Sequence, residues 1–144
     1  MAYTLQAIIA KRGILAELPG ARLAALEQDY EMLPFSGAFL RERGIPLLPL
    51  TDEGAAQLPQ SIQRTCAALS QKARLAYIEA EFFGGMSTQA CALFEHGKMV
   101  QGPLLDDAAI NAALVFLGVE KHSAHDEFDA LGLGRHRNTD QWIA

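Results

Sequence analysis

Tyr77, Glu79 and Glu81 alternate along AYIEAEFFGGMSTQ, the run from Ala76 to Gln89, and that spacing puts all three side chains on one face of a β-strand. At a rise of about 3.4 Å per residue, the two carboxylates stand roughly 7 Å apart. Such a pair suits a general acid and a general base flanking a water, or a site for a metal ion or an ammonium group. The same pattern suits the wet face of a two-faced antiparallel sheet, which needs polar side chains at alternate positions and no chemistry. On that second, favoured reading Ile78, Ala80 and Phe82 enter the core while Glu79 and Glu81 face outwards.

A second concentration of reactive types lies near the C-terminus. His122 and His125, three apart and followed by Asp126, would begin a divalent-metal site, but completing it needs His96 or His136 from elsewhere. Asp126 serves equally well as the cap of a short helix from Glu127 to Leu131, which leaves the histidines in an exposed loop. Arg135, His136 and Arg137 are suited to an anion, yet Asp126, Glu127 and Asp129 are close in sequence. Ion pairs or bonds to carbonyls that tie down the tail are the simpler expectation, with Gly132 and Gly134 letting the backbone turn back. Gly84, Gly85, Ser87 and Thr88 lack the lysine and the strand-to-helix setting of a phosphate loop, so they read as a hairpin turn. No serine sits in a nucleophile elbow. Cys66 and Cys91 have neither paired-ligand spacing nor the density of a disulfide framework, and no metal or cofactor is expected.

The two runs IEAEFFGG and DEFDALGLGRHRNTDQW resemble a group of small uncharacterised bacterial proteins, a likeness that covers roughly the second half of the chain and brings no catalytic residues with it. In general character the chain is also similar to the immunity proteins that neutralise secreted toxins, an analogy of size, charge and fold class.

These residues need a scaffold. The 144 residues are half apolar and one-fifth charged, enough for one α+β domain over residues 1–144 that hides about 70% of its unfolded surface. Tyr3–Ala10 reads as an opening strand. Arg22–Phe35 mixes helical composition with strand-like alternation and is read as part strand, and Leu47–Leu50 as a short strand. Thr51, followed by Asp52 and Glu53, reads as a helix start, with Pro59 restarting the helix whose Ile62, Cys66 and Leu69 share a face. Leu75–Phe83, Gln89–Glu95 and Lys98–Gln101 form a meander. Leu105, Asp106 and Ile110 suggest a stapled and capped helix that ends at Gly118. The expected architecture is a largely antiparallel sheet with the Ser61 and Asp106 helices packed on one face and the other face partly open.

Charge narrows the function classes. Residues 1–75 carry eight Lys or Arg against seven Asp or Glu, whereas residues 76–144 carry four against ten. An acidic half of this kind disfavours nucleic acid and favours a cationic protein partner. The start of the chain places its basic residues after a short apolar run, the reverse of a secretory signal, and no apolar stretch approaches the roughly 20 residues of a membrane span. A cytoplasmic protein without a membrane role is expected, and a homo-oligomer stays open. Two functional readings follow. The first is a binding protein, of the immunity type, whose acids cover a basic partner. The second is a hydrolase using Glu79 and Glu81 with a histidine or a metal assisting.

Overall fold

The computed structural model describes Ala2 to Ile143. Six strands form one sheet: β1 Tyr3–Lys11, β2 Ala24–Ala25, β3 Tyr30–Pro34, β4 Leu75–Phe83, β5 Met86–Glu95 and β6 Lys98–Leu105. Their order is β2-β3-β1-β4-β5-β6, antiparallel at every pairing. The helices are α1 Gly37–Arg43, α2 Gln60–Leu69, α3 Ala109–Leu117 and α4 Glu127–Leu131, and a 3-10 turn, Thr139–Ile143, follows them. The α+β class and the antiparallel meander are as the sequence implies.

The placement of the helices differs from expectation: α2 and α3 lie on opposite faces of the sheet. The central strands explain why. On β1, Leu5, Ala7 and Ile9 point to one face and Ile8 and Ala10 to the other; on β4, Ala76, Ile78 and Ala80 oppose Leu75 and Tyr77. A strand that is apolar on both sides needs a cover on each. Ile110, Leu114 and Leu117 of α3 cover the first face, and Ile62, Cys66 and Leu69 of α2 cover the second. Each fully buried aliphatic side chain contributes about 2 kcal/mol through apolar surface removed from water.

Helix α1 is not among the elements expected from the sequence. Its signals are local: the Ser36 Oγ accepts from the Phe39 amide at 3.2 Å, and Gly44 ends the helix in the left-handed region at φ 63°. Its Phe39 and Leu40 join α2 on the second face. Two further expectations are corrected nearby. Leu47–Leu50 is a turn rather than a strand, and Thr51 starts no helix, since α2 begins only after Pro59. The reason is competition for the backbone: the amides of Leu48, Leu50 and Thr51 bond to side chains of the sheet, and Leu48 adopts a left-handed φ of 43°.

The β4–β5 turn is also tighter than expected, with Gly84 and Gly85 alone at φ 58° and 85°. Two successive positive φ values make the mirror-image turn that matches strand twist, and glycine adopts them without cost. Asp106 holds the Ala108 amide at 2.8 Å ahead of α3. Leu105 stays 51% exposed, so the expected staple onto Ile110 does not form.

Candidate functional site

The Tyr77–Glu79–Glu81 face of β4 divides into a covered half and an open half. Glu79, expected to face outwards, has no exposed surface. Alternation places it on the same face as Tyr77, as the sequence implies, but that face is the one covered by α1, α2 and the segment from Ile45 to Leu58. The Leu50 amide donates to Glu79 Oε1 at 3.1 Å, the Thr51 amide to the same oxygen at 2.9 Å, and the Thr51 hydroxyl at 3.0 Å. The Tyr77 hydroxyl donates to Oε2 and accepts from Gln6 Nε2 at 3.0 Å. Gln6, also buried, donates to the Pro46 carbonyl at 3.2 Å and accepts from the Leu48 amide at 3.1 Å. Two side chains, Gln6 and Glu79, thus bind the backbone of Pro46–Thr51 in place of a neighbouring strand, and the Tyr77 hydroxyl links them.

Burial pushes the Glu79 carboxyl above its ordinary range, outweighing the bonds from Tyr77, Thr51 and Leu50 that pull it down. Tyr77 is held well above its ordinary value by burial first and the adjoining carboxylate second. Neither group reaches solvent in this conformation, so Tyr77 and Glu79 serve the fold here and are not a contact surface. Nothing in the residue types could have distinguished this from a wet face. What decides it is the segment lying above.

Beyond Glu79 the cover ends. Glu81 is half-buried, with Thr4 of β1 on one side and Thr88 of β5 on the other. The next pair outward on the same face is Phe83 opposite Met86, and each is 72% exposed. Leu105 of β6, opposite Ala90, belongs to this face too. The hairpin end therefore presents Phe83 and Met86 beyond the Glu81 carboxylate, with Leu105 exposed two strands away at the level of Ala90. Phe82, pointing the other way, stacks on Tyr3 with ring centroids 5.1 Å apart and packs on the first core.

Thr4 also forms part of a groove of about 670 Å³ between α1, the start of the Ile45–Leu58 segment and the 3-10 turn. Phe35, Leu40, Ile45 and Leu47 give it apolar walls, and Arg41 and Asp140 are the charged residues among those lining it. Asp140 Oδ1 accepts from the Gly37 amide at 3.0 Å, which fastens the tail to α1.

The C-terminal candidates are structural where they are engaged. Asp126 caps α4 by accepting from the Asp129 amide at 2.9 Å, and its other oxygen accepts from Asn111 at 3.2 Å. Asp129 itself is exposed. Arg135 bonds to a carbonyl rather than to the neighbouring acids: Nη2 donates to Ala25 O at 2.8 Å, and the guanidinium lies over the Trp142 ring at 5.1 Å. His136 meets the same ring edge-on at 4.7 Å. Arg137 acts through its main chain, whose carbonyl accepts from the Thr4 amide at 2.8 Å and whose amide donates to Gln141 at 2.8 Å. His122 faces Glu120 at 3.2 Å and His125 is exposed. Among the described residues no three His, Cys, Asp or Glu side chains are grouped to hold a metal. Both cysteines are buried, and burial raises their thiols, Cys91 up to about 11. Neither is poised as a nucleophile.

No known protein family, curated protein or solved structure matches the chain. No helix among the described residues is long and apolar enough to cross a membrane.

Proposed function

We propose that this chain is a protein-binding module that recognises a partner surface combining apolar and cationic groups, through the open end of the β4–β5 hairpin. One observation carries the reading: Phe83 and Met86 pair across the turn, each 72% exposed, with the Glu81 carboxylate directly behind them on the same face. An exposed apolar pair rimmed by polar side chains is the usual composition of a contact surface. Glu81 adds attraction for a base, and the acidic balance of residues 76–144 extends that field. Masking a basic surface, as an immunity-type inhibitor does, is the role within this class that the charge favours.

The competing hydrolase reading requires two accessible carboxylates. Glu79 is occupied by main-chain donors beneath Pro46–Thr51, so the geometry favours binding. The test is affinity capture from the native cell with three forms of the chain: wild type, Glu81→Lys with Phe83→Ser, and Glu120→Lys as a charge control remote from the hairpin. A basic partner held by wild type and the control, and lost with the hairpin variant, supports the proposal. Equal capture by all three forms, or hydrolysis of a small molecule that stops with Glu79→Gln, overturns it.

A further inference from the structure

The groove beside α1 carries a separate inference, because its charged and apolar parts are complementary to one kind of small molecule. Arg41 and Asp140 have opposite charge and line the same opening. A β-carbon at Gly37 would lie 3.1 Å from Arg41 Nη1 and 3.9 Å from Asp140 Oδ2, so both groups border the space that this glycine leaves free. Among the described residues no ion pair joins them. Asp140 uses Oδ1 to hold the Gly37 amide, while Oδ2 faces the space at Gly37.

A simple anion placed on Arg41 would meet the Asp140 carboxylate, and a simple cation on Asp140 would meet the guanidinium. A molecule carrying an ammonium and a carboxylate on one carbon satisfies each group at once. The rest of the opening is apolar: Phe35, Leu40 and Ile45 form the wall, and Leu47 stands 55% exposed at the rim. The volume of about 670 Å³ falls in the range of small-molecule sites.

We infer that the groove binds a free α-amino acid with a large apolar side chain, its carboxylate on Arg41, its ammonium on Asp140 and its side chain against Phe35, Leu40, Ile45 and Leu47. Arg41 supplies the planar pair of donors that matches a carboxylate, and Leu47 closes over the bound side chain, removing its own exposed surface from water. The site meets the hairpin surface at Thr4 but uses none of Glu81, Phe83 or Met86, so either assignment can fail alone.

The experiment is calorimetric titration of the full chain with L-phenylalanine, L-leucine and L-tryptophan, repeated with phenylalanine amide, which lacks the carboxylate, and N-acetylphenylalanine, which lacks the ammonium. Saturable binding of at least one amino acid is expected. Each chemical deletion should weaken phenylalanine by about tenfold or more, the effect of losing a charge-assisted bond. Arg41→Gln should weaken the intact amino acid similarly and make removal of its carboxylate nearly without consequence. Asp140→Asn, which retains an acceptor for the Gly37 amide, should do the same for the ammonium. No saturable binding by any of the three at millimolar concentration overturns the inference. Binding that ignores the chemical deletions on the wild-type chain overturns it too, whatever the variants do to folding.

Discussion

Glu79 and Glu81 are two residues apart on one strand and point to the same face, yet one is sealed under Pro46–Thr51 and the other borders solvent. The covered half supplies acceptors to a turn that has no strand beside it, and the open half presents a carboxylate and apolar side chains to a partner. Residue type, strand and face are the same for both acids, so the difference between a structural and an exposed carboxylate here comes from what lies above the sheet. Substitutions that treat the two halves alike test that contrast.

The largest effect is expected at Glu79. Alanine there leaves the amides of Leu50 and Thr51 and the Tyr77 hydroxyl without their acceptor, and should cost about 3 kcal/mol in urea denaturation. A loss under about 0.5 kcal/mol, of the size seen at surface sites, would erase the contrast between the halves.

Tyr77→Phe sharpens it further. Removing the hydroxyl that links Gln6 to Glu79 should cost about 1.5 kcal/mol and drive the Glu79 carboxyl higher still, since that bond is one that lowers it. The sign for pH follows from the raised carboxyl. The folded state holds this proton at a pH where the unfolded chain has released it, so the stability Glu79 contributes is fully present below the ordinary glutamate range. It is lost as pH rises through the raised folded value. Urea midpoints measured across this mildly acidic window should fall with rising pH more steeply for Tyr77→Phe than for wild type, while Glu79→Gln removes this component. A Gln variant with the wild-type slope would place the titration elsewhere.

At the tail, Arg135→Ala should lower stability by about 1 kcal/mol, through loss of the bond to Ala25 O and of the cation over Trp142. Arg137→Ala, whose described bonds are made by the main chain, should melt within a few tenths of a kcal/mol of wild type. Thermal melts of the pair distinguish a side chain that fastens the tail from one that only sits in it. Reversal of that order would reassign the two arginines.

The smallest change in stability belongs to the open half. Glu81→Lys, Phe83→Ser and Met86→Ser should each stay within about 0.5 kcal/mol of wild type. Glu81→Lys should also slow association with a basic partner and flatten its salt dependence, because an exposed charge steers encounter more than it holds the fold. Stopped-flow rates at several salt concentrations provide the check. A variant that unfolds instead would make the hairpin end part of the core.

Much of the scaffold was legible in the chain. The opening strand at Tyr3–Ala10, the alternation in Leu75–Phe83, the glycine pair at 84–85, the stripe of Ile62, Cys66 and Leu69, the cap at Asp126 and the stop at Gly118 are local signals, and local sterics and hydrogen bonds realise them. Helix α1 carries its signals at Ser36 and Gly44, a hydroxyl cap and a glycine stop around only seven residues. The groove had no legible sign, since Arg41 and Asp140 lie 99 positions apart and meet only when the tail bonds to Gly37.

The sequence by itself therefore determined which residues share a face of β4, because side chains in a strand alternate whatever surrounds them. It did not determine which face would be dry. β1 and β4 are apolar on both sides, a pattern that calls for two covers without saying which segment supplies each. Only the tertiary structure laid Pro46–Thr51 across Glu79 and stopped short of Glu81, and there the backbone amides of that turn, which have no strand to pair with, take their acceptors from Gln6 and Glu79 on the sheet.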